Sequence, residues 1–408
     1  MSFSFRSAAV FVALLFFIRE GLDGLLRYGL ASMGLTMLVY VPTALMTLYV
    51  IIRFLAEQKR KPYIISFFFV IIIGLSGIIG FLNSGNIIQT IFALYVFVPF
   101  FFGLQTGDII YKSSTFIKSS VILLLIFAVG IFLELVLDLP WKGFSYELGG
   151  VDIEASRDWS SLGLKRLSGF ARNSFSIASL CMVLLIVLYG RIKPALFSFL
   201  FIIGGVSIIL TTTKGVSLIV IVLVLLFIVK KISKSLYHFG IKTILISSFI
   251  IGIILPVSTL WIDYDFDYDN FITRMLFLSF EMRLGVVWPD AMAKFKDLAD
   301  FIMGRGAGQI GVATMVYGGS SYNPADNFFL YTLVVFGIPF LIVLGFLLYR
   351  LFKMNGEDGY VTMLLMAMFI FTYGIFANVM ESGILSYFLG SLISIVFKDK
   401  TKEIVEGG

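Results

Sequence analysis

The chain has 408 residues, 59% of them hydrophobic and only 14% charged, with a mean hydropathy of +1.00 and a formal net charge of +6. Soluble domains carry about 45–50% apolar and about 25% charged residues, so a water-exposed globular fold is excluded because too little polar surface exists to coat it. The single cysteine, Cys181, sits in an apolar run and rules out a disulfide framework or a thiolate metal cluster.

The apolar runs are continuous, unlike the roughly ten-residue alternating segments of a membrane barrel, so the expected fold is an all-α polytopic membrane protein. About twelve runs have the length that a bilayer requires. They fall near residues 7–26, 29–52, 63–82, 87–104, 119–137, 172–190, 195–210, 215–229, 243–261, 327–349, 360–377 and 383–397. The first is interrupted by Arg19, Glu20 and Asp23 and has no small-residue cleavage site after it. It reads as an uncleaved anchor rather than a signal peptide.

Orientation follows from Lys and Arg. With a cytoplasmic N-terminus, the inner connections collect Arg6, Arg53 with Lys59 to Lys61, Lys112 and Lys118, Arg191 and Lys193, Lys230 to Lys242, Arg350 and Lys353, and Lys398 to Lys402. The positive-inside rule then puts both termini in the cytoplasm, and the basicity reads as a topology signal and an attraction to anionic lipid. Nucleic-acid binding is not implied. Two outer segments, 138–172 and 262–326, exceed what a connector needs, and long loops of this kind carry function. In the second, Met292, Phe295, Leu298 and Ile302 share a helical face, which predicts one amphipathic surface helix over Ala291 to Met303. No repeat or Pro-rich linker divides the chain, so a single membrane domain over 1–408 is expected.

Outer cations run against the topology rule and call for an account. They are Lys165, Arg166 and Arg172 before the sixth span, Lys214 in the turn Thr211-Thr212-Thr213-Lys214-Gly215, and Arg274, Arg283 and Arg305 in the large loop. Neutralising outer acids or binding lipid phosphate is one account. An anion site for a diphosphate is the other, since Arg offers a planar fork of donors and Lys a compact charge.

Order and spacing add to this. Arg166-Leu167-Ser168-Gly169-Phe170-Ala171-Arg172-Asn173 opens a span, and Lys214 follows at the tip of a helical hairpin. Then come Arg283, Trp288, the glycine-rich Gly304 to Gly308, and Asp326-Asn327 ahead of Gly337. This succession, over roughly 150–345, resembles the Wzy-type polymerases of bacterial O-antigen and related polysaccharides, which are similar to the O-antigen ligases. The spacing from Arg274 to Gly285 is similar to a loop motif of such polymerases, while Arg157 to Gly169 departs from it by one residue. Ligases typically carry His where this chain has Asp326, and the one histidine, His238, falls in an inner loop, so the polymerase resemblance is preferred.

The resemblance implies transfer of a growing glycan from an undecaprenyl diphosphate carrier onto a lipid-linked repeat unit, at the periplasmic face of the bacterial inner membrane. It implies a chain-length regulator and a flippase as partners. Neither a cofactor nor a metal is called for. Arg283 and Arg166 are the expected stabilisers of the leaving diphosphate, and Asp326 the carboxylate that orients the attacking hydroxyl or takes its proton. Arg172, Lys214, Arg274, Arg305, Asn173 and Asn327 are expected around the substrate, with Glu281 and Glu381 as further carboxylates. Asp326 also reads as a helix cap, the Gly304 to Gly308 run as either a phosphate nest or a close-packing loop, and Glu134 as a snorkelling residue or part of a polar groove. The run Asp263 to Asn270 fails the calcium-loop pattern, having Tyr268 and Arg274 where Gly and Glu are needed, and reads as an exposed extended segment or, second, as a sugar-binding row of aromatics beside acids. A secondary transporter or lipid-linked oligosaccharide flippase is the competing class, but such proteins gather ionisable groups at the midplane.

Overall fold

A computed structural model describes residues 4–56, 62–148, 151–161, 163–264, 271–318, 322–354 and 359–397. The structure is mostly helical, and among the described residues six helices are long and apolar enough to cross a membrane: Thr36–Ala56, Ile65–Ser84, Ile87–Tyr111, Ser114–Val136, Lys214–Ile232 and Lys234–Ser258. Four apolar helices are shorter: Ser174–Leu188, Pro194–Leu210, Tyr360–Gly374 and Gly383–Val396. Two compact units form, one from residues 1–56, 106–237 and 361–366, the other from 57–105, 238–360 and 367–408.

The first unit is built around Ser174–Leu188. Every residue from Ile177 to Leu188 is buried, which explains how an all-round apolar helix of 15 residues is accommodated: it meets protein rather than lipid on each side. Ser114–Val136 and Pro194–Leu210 pack on it, with Gly204 bringing the latter against Leu185 and Leu124. The 28-residue helix Phe5–Ser32 starts at a Ser4 cap and lays Ala9, Ala13, Phe16 and Phe17 into the core, with Phe17 edge-on to Phe116 at 5.3 Å. Gly21 is required where Phe127 crosses, since a Cβ there would lie 2.1 Å from the ring.

The described residues of segment 138–172 are not helical. They fold as two antiparallel hairpins, Ser145–Leu148 with Val151–Glu154 and Ser160–Ser161 with Leu164–Lys165, so the all-α expectation needs these four short strands added.

In the second unit, Phe328–Phe336 and Gly383–Val396 are the buried helices. Gly103 and Gly390 let two backbones touch, since a Cβ on either would stand about 2 Å from the carbonyl oxygen of Tyr387 or Phe100. Small residues at such a crossing are how helices pack in lipid, where hydrophobic burial offers no gain. The expected tenth span is broken at Gly337 (φ 71°) into Phe328–Phe336 and Ile338–Lys353. The backbone of Ile302 fills the space where a side chain at 337 would be.

The single amphipathic helix expected over Ala291 to Met303 is also replaced, by Trp288–Met292 and Leu298–Met303. Asp297 ends any continuity by accepting from the Asp300 N–H and capping a new helix.

Candidate functional site

The candidate residues divide between the units. Asp326, Arg283, Arg305, Asn327, Glu281 and Glu381 belong to the second, and Arg166, Arg172, Asn173 and Lys214 to the first. Arg274 lies on Phe271–Met282, but its side chain is outside the described residues, as are 265–270 of the acidic and aromatic run.

In the second unit the fold brings together Arg283 and Asp326, 43 positions apart in sequence. One guanidinium nitrogen of Arg283 lies 3.2 Å from the Asp326 carboxylate and donates to the Phe376 carbonyl; the other donates to Ser279 through its carbonyl and hydroxyl. The Arg283 Nε is buried without a partner. Arg283 opens a π-helical turn, Arg283–Val287, where the chain leaves Phe271–Met282. Such turns re-aim a side chain and are frequent at functional sites.

Asp326 stands opposite on a turn that holds two consecutive L-residues in the left-handed region, Ala325 at φ 61° and Asp326 at φ 45°. Each costs about 1–3 kcal/mol, which the surroundings must offset. Asn323 does so: its side-chain oxygen accepts from the Ala325 N–H at 2.8 Å, and its amide donates to the Val287 carbonyl at 2.7 Å. Asn323 thus ties the Asp326 turn to the end of the π-helical turn that carries Arg283. The sequence reading missed it, although Asn two residues before a turn, followed by Pro324, is an Asx-turn signal.

The cap reading of Asp326 is corrected. Asn327 caps Phe328–Phe336, accepting from the Leu330 N–H, while its amide donates to the carbonyls of Gly252 and Ile375. The Asp326 carboxylate, partly exposed, is left to Arg283.

Arg305 lies against Asp300 at 3.1 Å, an ion pair within its own loop. The phosphate-nest reading of Gly304 to Gly308 is also corrected. The Arg305 N–H points to the Val334 carbonyl, and the Ala307 N–H to Ser76, so these donors are spent on the protein. Gly306 (φ 89°) is needed for close approach, since its Cβ would lie 2.1 Å from the Gly80 nitrogen. Gly285, by contrast, faces open space, so sterics do not demand glycine at the end of the Arg274 spacing.

Glu381 sits between the helices Tyr360–Gly374 and Gly383–Val396 and accepts from the Val312 N–H, with the Tyr331 hydroxyl alongside. Desolvation pushes its carboxyl up to about 8 against the opposing effect of the Val312 N–H and the Tyr331 and Asn378 side chains. Glu281 is half-buried on Phe271–Met282.

In the first unit the dominant feature is one that sequence placed differently. Glu134 is neither snorkelling nor in an open groove. Its side chain is fully buried, pairs with Lys142 at 2.8 Å, and accepts from the backbone N–H groups of Ser168 and Gly169 at 2.8 and 2.7 Å. Lys142 also donates to the Ser168 hydroxyl, and burial holds its ammonium below the usual lysine range despite Glu134. This knot fixes the start and end of segment 138–172 against Ser114–Val136. Arg166 lies 4.8 Å from the Trp159 ring centre and Arg157 5.8 Å from it, a cation–π arrangement on the second hairpin. Asn173 caps Ser174–Leu188 through the Ser176 N–H. Lys214 is exposed at the first turn of Lys214–Ile232, after the Thr211 to Thr213 turn.

Arg172 is held near Arg27, Arg157 and Tyr146. Burial, with the like charges of Arg27 and Arg157, keeps it below the usual arginine range against the opposing pull of Asp23. Arg27, which sequence did not single out, is fully buried, paired with Asp23 at 2.9 Å and bonded to the Tyr146 hydroxyl at 2.6 Å. Its signal was the i, i+4, i+8 spacing of Arg19, Asp23 and Arg27 on one helix face.

No protein-family profile, curated protein or solved structure matches the chain. Among the described residues no group of His, Cys, Asp and Glu is placed to hold a metal ion.

Proposed function

We propose that the chain is a membrane glycosyltransferase of the polysaccharide-polymerase type, extending a glycan on an undecaprenyl diphosphate carrier at the outer face of a bacterial inner membrane. The observation that carries the reading is the Arg283 and Asp326 pair, a cation and a partly exposed carboxylate held together on a strained turn at the end of a buried helix. Twelve spans are part of the proposal. Six are the long helices, four the shorter apolar ones, and two come from Phe5–Ser32 and the helix pair broken at Gly337. Both termini then face the cytoplasm and segments 138–172 and 262–326 the periplasm.

In the proposed reaction the acceptor hydroxyl oxygen forms a bond to the anomeric carbon of the donor glycan, and the bond from that carbon to the diphosphate oxygen breaks. The carrier leaves with its electron pair as the diphosphate. Asp326 orients the hydroxyl and receives its proton, and Arg283 steadies the carboxylate. Purified protein supplied with lipid-linked repeat units tests the reading. Longer glycans support it, and relocation of the substrate between leaflets without growth would assign the chain to the flippases instead.

A further inference from the structure

The first unit gathers more positive charge than it neutralises. Asp23 is shared by Arg27 at 2.9 Å and Arg19 at 3.4 Å, and Arg19 also pairs with Glu20, so those four residues balance among themselves. Arg157 and Arg172 are additional. Among the described residues no carboxylate lies within ion-pair distance of either, and the Arg172 Nε is buried without a hydrogen-bond partner.

The backbone holds this group of cations in place. The Leu25 N–H, in the turn before Arg27, donates to the Phe170 carbonyl, and the Arg157 N–H donates to the Arg172 carbonyl at 2.8 Å. Gly24 lets the helix meet residues 170 and 171, since a Cβ there would lie 2.8 Å from the Ala171 oxygen. Arg172 therefore faces the like charges of both Arg27 and Arg157 beside Asp23, a carboxylate already shared by Arg27 and Arg19. Cations withdrawn from water persist when an anion completes them.

We propose that Arg27, Arg157 and Arg172, with the Tyr146 hydroxyl, form a seat for a phosphate or diphosphate group. Guanidinium forks match phosphate oxygens two at a time, and a phenol adds a single neutral donor. The seat rests on the polymerase reading, which calls for a diphosphate ligand, and adds Arg27 from the N-terminal helix as a member that the sequence did not suggest.

The test is binding by the full chain in nanodiscs, without any glycan, using farnesyl diphosphate, inorganic diphosphate and phosphatidylglycerol vesicles as separate probes. Saturable binding of farnesyl diphosphate is expected, weakened at least tenfold by Arg172→Gln and by Arg157→Gln and only partly by Arg172→Lys, with Lys234→Gln as an unaffected charge control. The half-exposed Arg157 serves should the Arg172 variants fail to fold. Stronger binding of the prenyl compound assigns the seat to a lipid-linked diphosphate, equal binding of inorganic diphosphate to the phosphate group alone, and competition by the vesicles to a bilayer headgroup. Absence of saturable binding by all three probes, or wild-type affinity in both Gln variants, overturns the seat. Binding with this arginine dependence but no glycan growth would instead leave the seat standing and remove the polymerase reading.

Discussion

Glu134→Gln is expected to be among the most damaging isosteric changes in the first unit. The amide keeps an oxygen for the Ser168 and Gly169 N–H groups, 2.8 and 2.7 Å away, so the backbone anchoring survives in part. What disappears is the charge facing Lys142, whose side chain is 5% exposed and whose remaining partners are the Ser168 hydroxyl and, at 3.5 Å, the Arg157 carbonyl. Breaking a buried pair from one side costs about 3–5 kcal/mol because it leaves a buried charge uncompensated. Adding Lys142→Met removes that charge, so the double variant should regain about 0.5–3 kcal/mol over Glu134→Gln, as expected for residues in direct contact. Equilibrium denaturation in mixed micelles measures the cycle, and protease cutting within 138–172 reports local release. A loss below about 0.5 kcal/mol for Glu134→Gln, the scale of a surface pair, together with unchanged proteolysis, would refute the assignment of this knot as the anchor of the segment.

Asn327→Ala should cost about 1–3 kcal/mol, combining a lost cap with two carbonyls, of Gly252 and Ile375, that lose their donor. Asn327→Asp, which can still cap but cannot donate, should fall between, as read by the same denaturation assay. Gly306→Ala should prevent accumulation in membranes, because φ is 89° and the Cβ would stand 2.1 Å from the Gly80 nitrogen, whereas Gly285→Ala should accumulate normally, as quantitative immunoblotting will show. Glu381 has its carboxyl raised to about 8 from the ordinary 4.5, so the folded state binds the extra proton between those values. Stability should therefore fall as pH rises from about 4.5 to about 8 and level off above, and Glu381→Gln should flatten that slope in melting curves taken across the range.

Hydropathy alone located the helices that face lipid, because their partner is uniform and only length and apolarity matter. Ser114–Val136 and Lys214–Ile232 lie within a few residues of where the sequence places them. It could not tell a lipid-facing helix from Ser174–Leu188 or Phe328–Phe336, which are equally apolar yet buried in protein. The break at Gly337 was equally invisible, since its cause is the backbone of Ile302 arriving from elsewhere. Charge placement was partly legible. Arg283 and Asp326 were singled out separately and meet in the fold, and Asn173 and Asn327 stand where caps belong. The partner of Glu134 was not legible, because Lys142 reaches it only after the chain leaves the helix and turns back. Nor was the loss of the glycine nest, which depends on carbonyls of Ser76 and Val334 from distant helices.

The most direct measurement of the account is the rate of glycan extension by Asp326→Asn in reconstituted membranes, at matched protein levels and with lipid-linked repeat units as substrate. Because Asn327 supplies the cap, the amide at 326 leaves the helix start intact and removes only the negative charge beside Arg283. The account predicts a folded variant that extends glycan at least about a hundredfold more slowly than wild type, the lower range for loss of an acid–base group. Extension at a near-wild-type rate would contradict it and take Asp326 out of the reaction.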